Sequence, residues 1–486
     1  SDPAPDGKNK TQSALAVLEN GLSTVQYVRV QTPHPTEELD LGGIKAVKRL
    51  RATLRKLKIQ NMRPEATDQD IFLNNEDKNE LVLDLQGLRM QLSAPTKKMS
   101  PEREVERGIN EYARDCFDAI PIIMAEICYA RRFLAGGNPP PAERTPAPLK
   151  FLRNMYNVIS VESWAGTDQD SKPLATPSVI EFAFSENRKS IRKWYVTALK
   201  NISSELKKTG DADAKSAASK LDKIWRTLDH IQDNPSDVIK ALDDLEKIKE
   251  QFEAKGMLFP PARHPKARQE GLSELDVLIV QMGNFAGQAL KQQVRQNSEQ
   301  HDIAISCMVK KLGEKNLLGN HTLDDLLING KLKDEHVKTI LDLVLNNPGI
   351  GVYLRQEVQD IGAKIQLRRS VTDVELLLHD TLRSYQLASE NPEAAPTYLI
   401  AECKSKFDIL KAFTMLKAMT DPELVKDSPN RRIGQVAITP LIEHREDIER
   451  RSEIVNGALD LHPAFEEHVI RQFSGSPLMQ IYDTDR

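Results

Sequence analysis

The feature that most constrains this chain is the spacing of its short β-branched runs. Six stand far apart: residues 28–32 (VRVQT), 158–164 (VISVESW), 351–358 (GVYLRQEV), 397–402 (TYLIAE), 435–443 (QVAITPLIE) and 478–483 (LMQIYD). Long stretches of helical texture lie between them. Single strands separated by helices have no tight turn through which to form hairpins, so the pattern predicts βα units and a parallel sheet. Most runs end in a polar or ionisable residue, and in a βα barrel the C-terminal strand ends hold the chemistry. The expected fold is mainly α with an incomplete TIM-like βα barrel, about six strands surrounded by long helices.

The helical text is explicit. Ser100 is a plausible N-cap and Pro101 a first helical residue, and the pattern then runs to Phe133 and stops at Gly136-Gly137. Residues 177–347 read as almost wholly helical, with apolar residues three and four apart in 188–208, 235–255 and 273–293. The organisation expected is residues 1–176 as a helical region with strands one and two, 177–347 as a helical insertion, and 348–486 as strands three to six with their helices. Charged residues at 28% and aromatics at 5% fit long amphipathic helices better than a sandwich of short strands.

Several classes are excluded. The net charge of -4 is interspersed, which gives no field for nucleic acid or an anionic membrane. No run of about 18 apolar residues exists to span a bilayer. Cys116, Cys128, Cys307 and Cys403 are scattered and form no CxxC pair, which reads as reduced thiols in a cytoplasmic protein. The glycines at 349 and 351 lack the third glycine of a dinucleotide fingerprint. His462 and His468 lack metal spacing.

The candidate chemical residues sit at strand ends. His34 is held between Pro33 and Pro35 directly after the first run. A histidine there suits proton transfer or anion stabilisation, and an ordinary loop histidine is the plain alternative. Glu443 closes the fifth run. It reads as a divalent-cation ligand or as a solvated helix-start acid. Arg355 has a guanidinium fork for an anion, or an ion pair with Glu357 or Asp360. Trp164 closes the second run, and Asp168 and Asp170 follow it closely.

These segments, in this order, resemble the phosphoenolpyruvate carboxylases of the bacterial type. TPHPTE at 32–37 is similar to TAHPTE, and ESWAGTDQDSKP at 162–173 to GSWMGGDRDGNP. VYLRQEV at 352–358 is similar to LDIRQES, TYLIAE at 397–402 to the strand YVISMA, and AITPLIEH at 437–444 to VVPLFET. MQIYDTD at 479–485 loosely resembles MIGYSDS. The resemblance implies a homotetrameric cytoplasmic lyase of the carbon dioxide-fixing class. It would join bicarbonate to phosphoenolpyruvate, giving oxaloacetate and phosphate, with Mg²⁺ or Mn²⁺. It implies catalytic roles for His34 and Arg355, with Arg355 also contacting substrate, and metal ligation by Glu443 and Asp485, with Asp483 as the other choice. Trp164, Asp168 and Asp170 fall on a loop associated with anionic effectors, where Gln169 replaces an arginine and Thr167 and Ser171 replace glycines. The family's glycine- and arginine-rich loop, which would follow Arg486, is expected to be needed for activity. The alternative expectation is an inactive homologue retained as a binding or structural protein.

Overall fold

The computed structural model describes residues 27–31, 100–134, 147–156, 159–170, 175–230, 236–421, 436–442 and 444–473. The chain divides into two compact units, Ser1–Thr32 with Pro101–Arg486, and Pro33–Ser100. Everything below belongs to the first. It is mainly helical and is organised on one parallel sheet. The strands are β1 (Tyr27–Gln31), β2 (Ile159–Ser163), β3 (Lys291–Asn297), β4 (Thr397–Ala401) and β5 (Ala437–Pro440). They stand side by side in sequence order, every pair parallel.

Four of the expected runs are therefore strands, and the run at 478–483 lies outside the described residues. Two expectations are corrected. Residues 351–358 are helical, inside a helix spanning Pro348–Gln366. Asn347 caps it through its side chain, and Pro348 takes the first turn, where no N–H is needed. Its buried residues, Ile350, Leu354, Val358 and Ile361, recur at helical spacing. The second correction is β3, which lies within the region read as almost wholly helical and is the middle strand of the sheet. The helix beginning at Glu274 ends at Phe285, because Ala286 turns into φ 46 and cannot continue it.

The helices needed below are α1 (Arg114–Leu134), α2 (Pro177–Lys208), α3 (Ala212–His230), α4 (Ser236–Glu253), α5 (Glu274–Phe285), α6 (Ser298–Glu314), α7 (Pro348–Gln366), α8 (Asp373–Glu390) and α9 (Lys406–Met419). The helical run predicted from Pro101 is continuous through a π-helical turn at Gly108–Ala113 into α1. Pro121 lies inside α1 and has no N–H for the carbonyl of Phe117, four residues earlier. Gln281 on α5 fills the gap, its Nε2 donating to Phe117 O at 2.9 Å.

Two apolar clusters hold the unit together. One joins Phe117 of α1 with Tyr195 and Leu199 of α2, Leu221 of α3, Leu245 of α4 and Leu275 of α5. The other packs Val294, Tyr398, Ile400 and Ile438 of the sheet against Met308 of α6, Tyr385 of α8 and Phe413 of α9. Each such side chain contributes about 1.5–3 kcal/mol of burial. Within the second cluster Tyr385 and Tyr398 stack with centroids 4.0 Å apart, and His301 Nε2 lies 3.1 Å from the Tyr385 hydroxyl.

Buried amides fix where the strands start. Asn284 Oδ1 accepts from Ile159 N, the first amide of β2, at 2.9 Å, while its Nδ2 donates to Met155 O. Asn187 Oδ1 accepts from Leu290 N, just before β3, at 2.8 Å. The four cysteines form no disulfide, and burial pushes the Cys128 thiol up to about 12. Among the described residues no helix is long and apolar enough to cross a membrane.

Candidate active site at the strand ends

Because all five strands run the same way, their C-terminal ends share one edge of the sheet. The chain leaves β2 at that edge and does not turn away at once. Ser163 Oγ accepts from Ala165 N at 3.1 Å, and Trp164 O accepts from Thr167 N at 2.9 Å, which closes a tight turn. Gly166 lies in this turn at φ +75, a value that glycine adopts without steric cost.

Residues 167–169 then run beside β3. Arg295 N donates to Thr167 O at 3.0 Å, and Gln169 N donates to Arg295 O at 2.8 Å. This loop pairing replaces a strand pairing that is short, since β2 and β3 share only the pairs Glu162↔Lys291 and Ser163↔Gln292. Thr167 stands where the resembling motif has glycine. Its Cβ is tolerated because it is not among the positive-φ residues, and its hydroxyl donates to Gln293 O at 2.8 Å.

The result is a charged cluster around Arg295. Its guanidinium carbon lies 5.0 Å from the centroid of the Trp164 ring. Arg295 Nη2 donates to Asp170 Oδ2 at 3.0 Å, and Nε stands 3.8 Å from Asp168 Oδ1, an ion-pair distance but too long for a hydrogen bond. All three charged side chains are only 12–14% exposed. Two residues earlier on β3, Gln293 Nε2 donates to Glu162 Oε2 at 2.5 Å, and Ser160 Oγ donates to the other oxygen at 3.4 Å. Gln169 is buried, and Ser384 of α8 donates to its Oε1 at 3.1 Å.

The predicted residues divide in three ways. Trp164, Asp168 and Asp170 are gathered with Arg295 as described. His34, Glu443 and Asp485, with Ser171 and Asp483, lie outside the described residues. Arg355 is elsewhere. It lies on α7 and its Nη1 donates to Thr420 O, just past the end of α9.

Sequence reasoning missed Arg295, although a signal was present. QQVRQNS at 292–298 keeps the Arg, Gln and Ser of LDIRQES, whereas VYLRQEV keeps Arg, Gln and Glu. The two matches are equal in number, and only the first lies on a strand. It also passed over Glu162, which stands on the glycine of GSW. Among the described residues no group of three or more His, Cys, Asp or Glu side chains is arranged to hold a metal ion.

Fold and site together define a parallel βα protein with a charged cluster at its strand ends. Residues 8–254, just over half of the chain, match the family model of phosphoenolpyruvate carboxylase, and the chain belongs to that family. It is similar to "Phosphoenolpyruvate carboxylase" of Nocardia farcinica, 23% identical over 415 residues, covering 75% of this chain and 39% of the relative. It is also similar to the protein of the same name from Trichormus variabilis, 20% identical over 402 residues, covering 74% of this chain and 34% of the relative. The chain thus spans between a third and two fifths of the length of these curated relatives.

Proposed function

We propose that the strand-end site binds phosphoenolpyruvate for carboxylation by bicarbonate to oxaloacetate and phosphate. The observation that carries this reading is Arg295, held over Trp164 and braced by Asp168 and Asp170 at the C-terminal edge of a parallel sheet. A guanidinium fork fixed by two carboxylates meets a phosphate or carboxylate at little further entropic cost. The role expected of Arg355 passes to Arg295. His34, which follows the first run in the sequence, is the proposed group for proton transfer or anion stabilisation.

The sequential parallel strand order favours the wall of a βα barrel, in which neighbouring strands are consecutive. Mg²⁺ or Mn²⁺, when bound, would neutralise developing negative charge on oxygen. The described carboxylates do not fit as its complete ligand set, so Glu443 and Asp485 remain the proposed ligands, and no step is derived through the metal. A homotetramer and a cytoplasmic setting are proposed from the family alone. A second reading, a catalytically silent homologue, draws on Gln169, which is engaged internally with Ser384 in place of the family's arginine.

The full-length protein should form oxaloacetate from phosphoenolpyruvate only when bicarbonate and Mg²⁺ are present, followed by coupling to malate dehydrogenase. Arg295→Gln should abolish turnover and Arg355→Gln should leave most of it. No bicarbonate-dependent product in the wild type would favour the silent homologue. Equal activity in Arg295→Gln would refute the site.

A further inference from the structure

We propose that Glu162 is a specificity-determining residue of this site. Its carboxylate sets the charge that an incoming anion meets and lowers affinity most for the most highly charged ligands. The proposal rests on the reading of Arg295 as the anion-binding group.

Side chains alternate along a strand, so residues two apart share a face. Glu162 pairs with Lys291 across the β2–β3 seam, which puts Glu162, Lys291, Gln293 and Arg295 on one face of the sheet. Glu162 is only 7% exposed. Burying a carboxylate is costly unless it is hydrogen-bonded, and here Gln293 and Ser160 supply the donors. The arrangement is therefore built around the charge.

Among the described residues of this face and the adjoining loop, the cations are Lys291 and Arg295 and the acids are Glu162, Asp168 and Asp170. Asp168 and Asp170 touch Arg295 and hold it in place. Glu162 bonds to Gln293 and Ser160 instead. Its charge can be removed without releasing the guanidinium, so it acts on the ligand through field and not through fit. The effect of a field scales with ligand charge, which separates it from a structural role.

The test is calorimetric titration of the 486-residue chain at fixed ionic strength with phosphoenolpyruvate and with pyruvate. Glu162→Gln keeps the shape and an oxygen to accept from Gln293. It should bind phosphoenolpyruvate about tenfold more tightly and pyruvate only about twofold more tightly, with the gain shrinking as salt is added. Equal tightening for both ligands, or unchanged or weaker binding in a variant that melts with the wild type, overturns the proposal. Glu162→Ala serves if Glu162→Gln does not fold. Arg295→Gln separates the two readings. If it keeps wild-type affinity, the anion-binding reading fails. If it loses binding while Glu162→Gln is unchanged, only the role of Glu162 fails. Absence of binding in both the wild type and Glu162→Gln overturns both.

Discussion

Replacing Gly166 by alanine should destabilise the protein and disorder the loop that braces Arg295. Two costs add. The backbone at φ +75 is left-handed, which charges a residue with a Cβ about 1–2 kcal/mol. The new Cβ would also stand 2.5 Å from Val105 Cγ2 and 3.3 Å from both Pro101 O and Val179 Cγ1. Val105 is fully buried, so its methyl group has nowhere to retreat, and overpacking of this kind costs about 1–3 kcal/mol. The sum is about 2–5 kcal/mol, read as a fall in the urea midpoint with an unchanged slope. Val105→Ala provides the internal control. It removes the clashing methyl, so the cost of Gly166→Ala in that background should shrink to the backbone part, about 1–2 kcal/mol. A Gly166→Ala protein within 0.5 kcal/mol of the wild type (roughly the scatter expected for a neutral surface change) would refute the reasoning. So would an identical cost in the two backgrounds.

Acid should weaken the fold through two histidines. Burial holds His301 down to about 3, helped by nearby Lys411, and burial holds His468 down to about 3, helped by Lys417. An unfolded histidine titrates near 6.5, so between pH 6.5 and 3 the unfolded chain binds more protons and stability falls as pH falls. From pH 7.5 to 5 the two together should remove about 4 kcal/mol, and His301→Gln should lose about half of that dependence in urea melts. An unaltered pH dependence in His301→Gln would count against this assignment. Lys411→Met should cost about 2–3 kcal/mol, because the buried ammonium bridges Asp302 at 2.6 Å and Asp334 at 2.7 Å, and those half-exposed acids recover only part of their hydration. A Lys411→Met protein as stable as the wild type in chemical denaturation would contradict it.

The parts of the fold legible in the sequence were those where polarity and period agreed. TYLIA and AITP are apolar, lie between helical stretches, and became β4 and β5. β3 was hidden for the opposite reason. KQQVRQN is polar at nearly every position because one of its faces lies in the charged cluster, and a polar strand following an apolar helix imitates the solvated end of that helix. The same disguise moved the arginine motif. RQE at 355–357 sits in an amphipathic helix whose apolar residues happened to be β-branched or aromatic nearby, so it read as a strand. Trp164, Asp168 and Asp170 were legible because they follow a clear strand closely. Their convergence on Arg295 was not, since 125 residues separate Asp170 from its partner. No local pattern encodes such a pairing.

The segment 167–169 is a loop by its position in the chain and a strand by its hydrogen bonds. This limits how it can change over evolutionary time. An ordinary surface loop absorbs insertions, because its length is decoupled from the elements it joins. Here one added residue between Gly166 and Gln169 would slide the partners of Arg295 by one position and turn alternate side chains to the other face. Asp168 and Asp170 would then exchange places with their neighbours, and the arginine would lose both braces at once. Substitution is the open route, as Thr167 and Gln169 illustrate, while length is the quantity this stretch of chain must conserve.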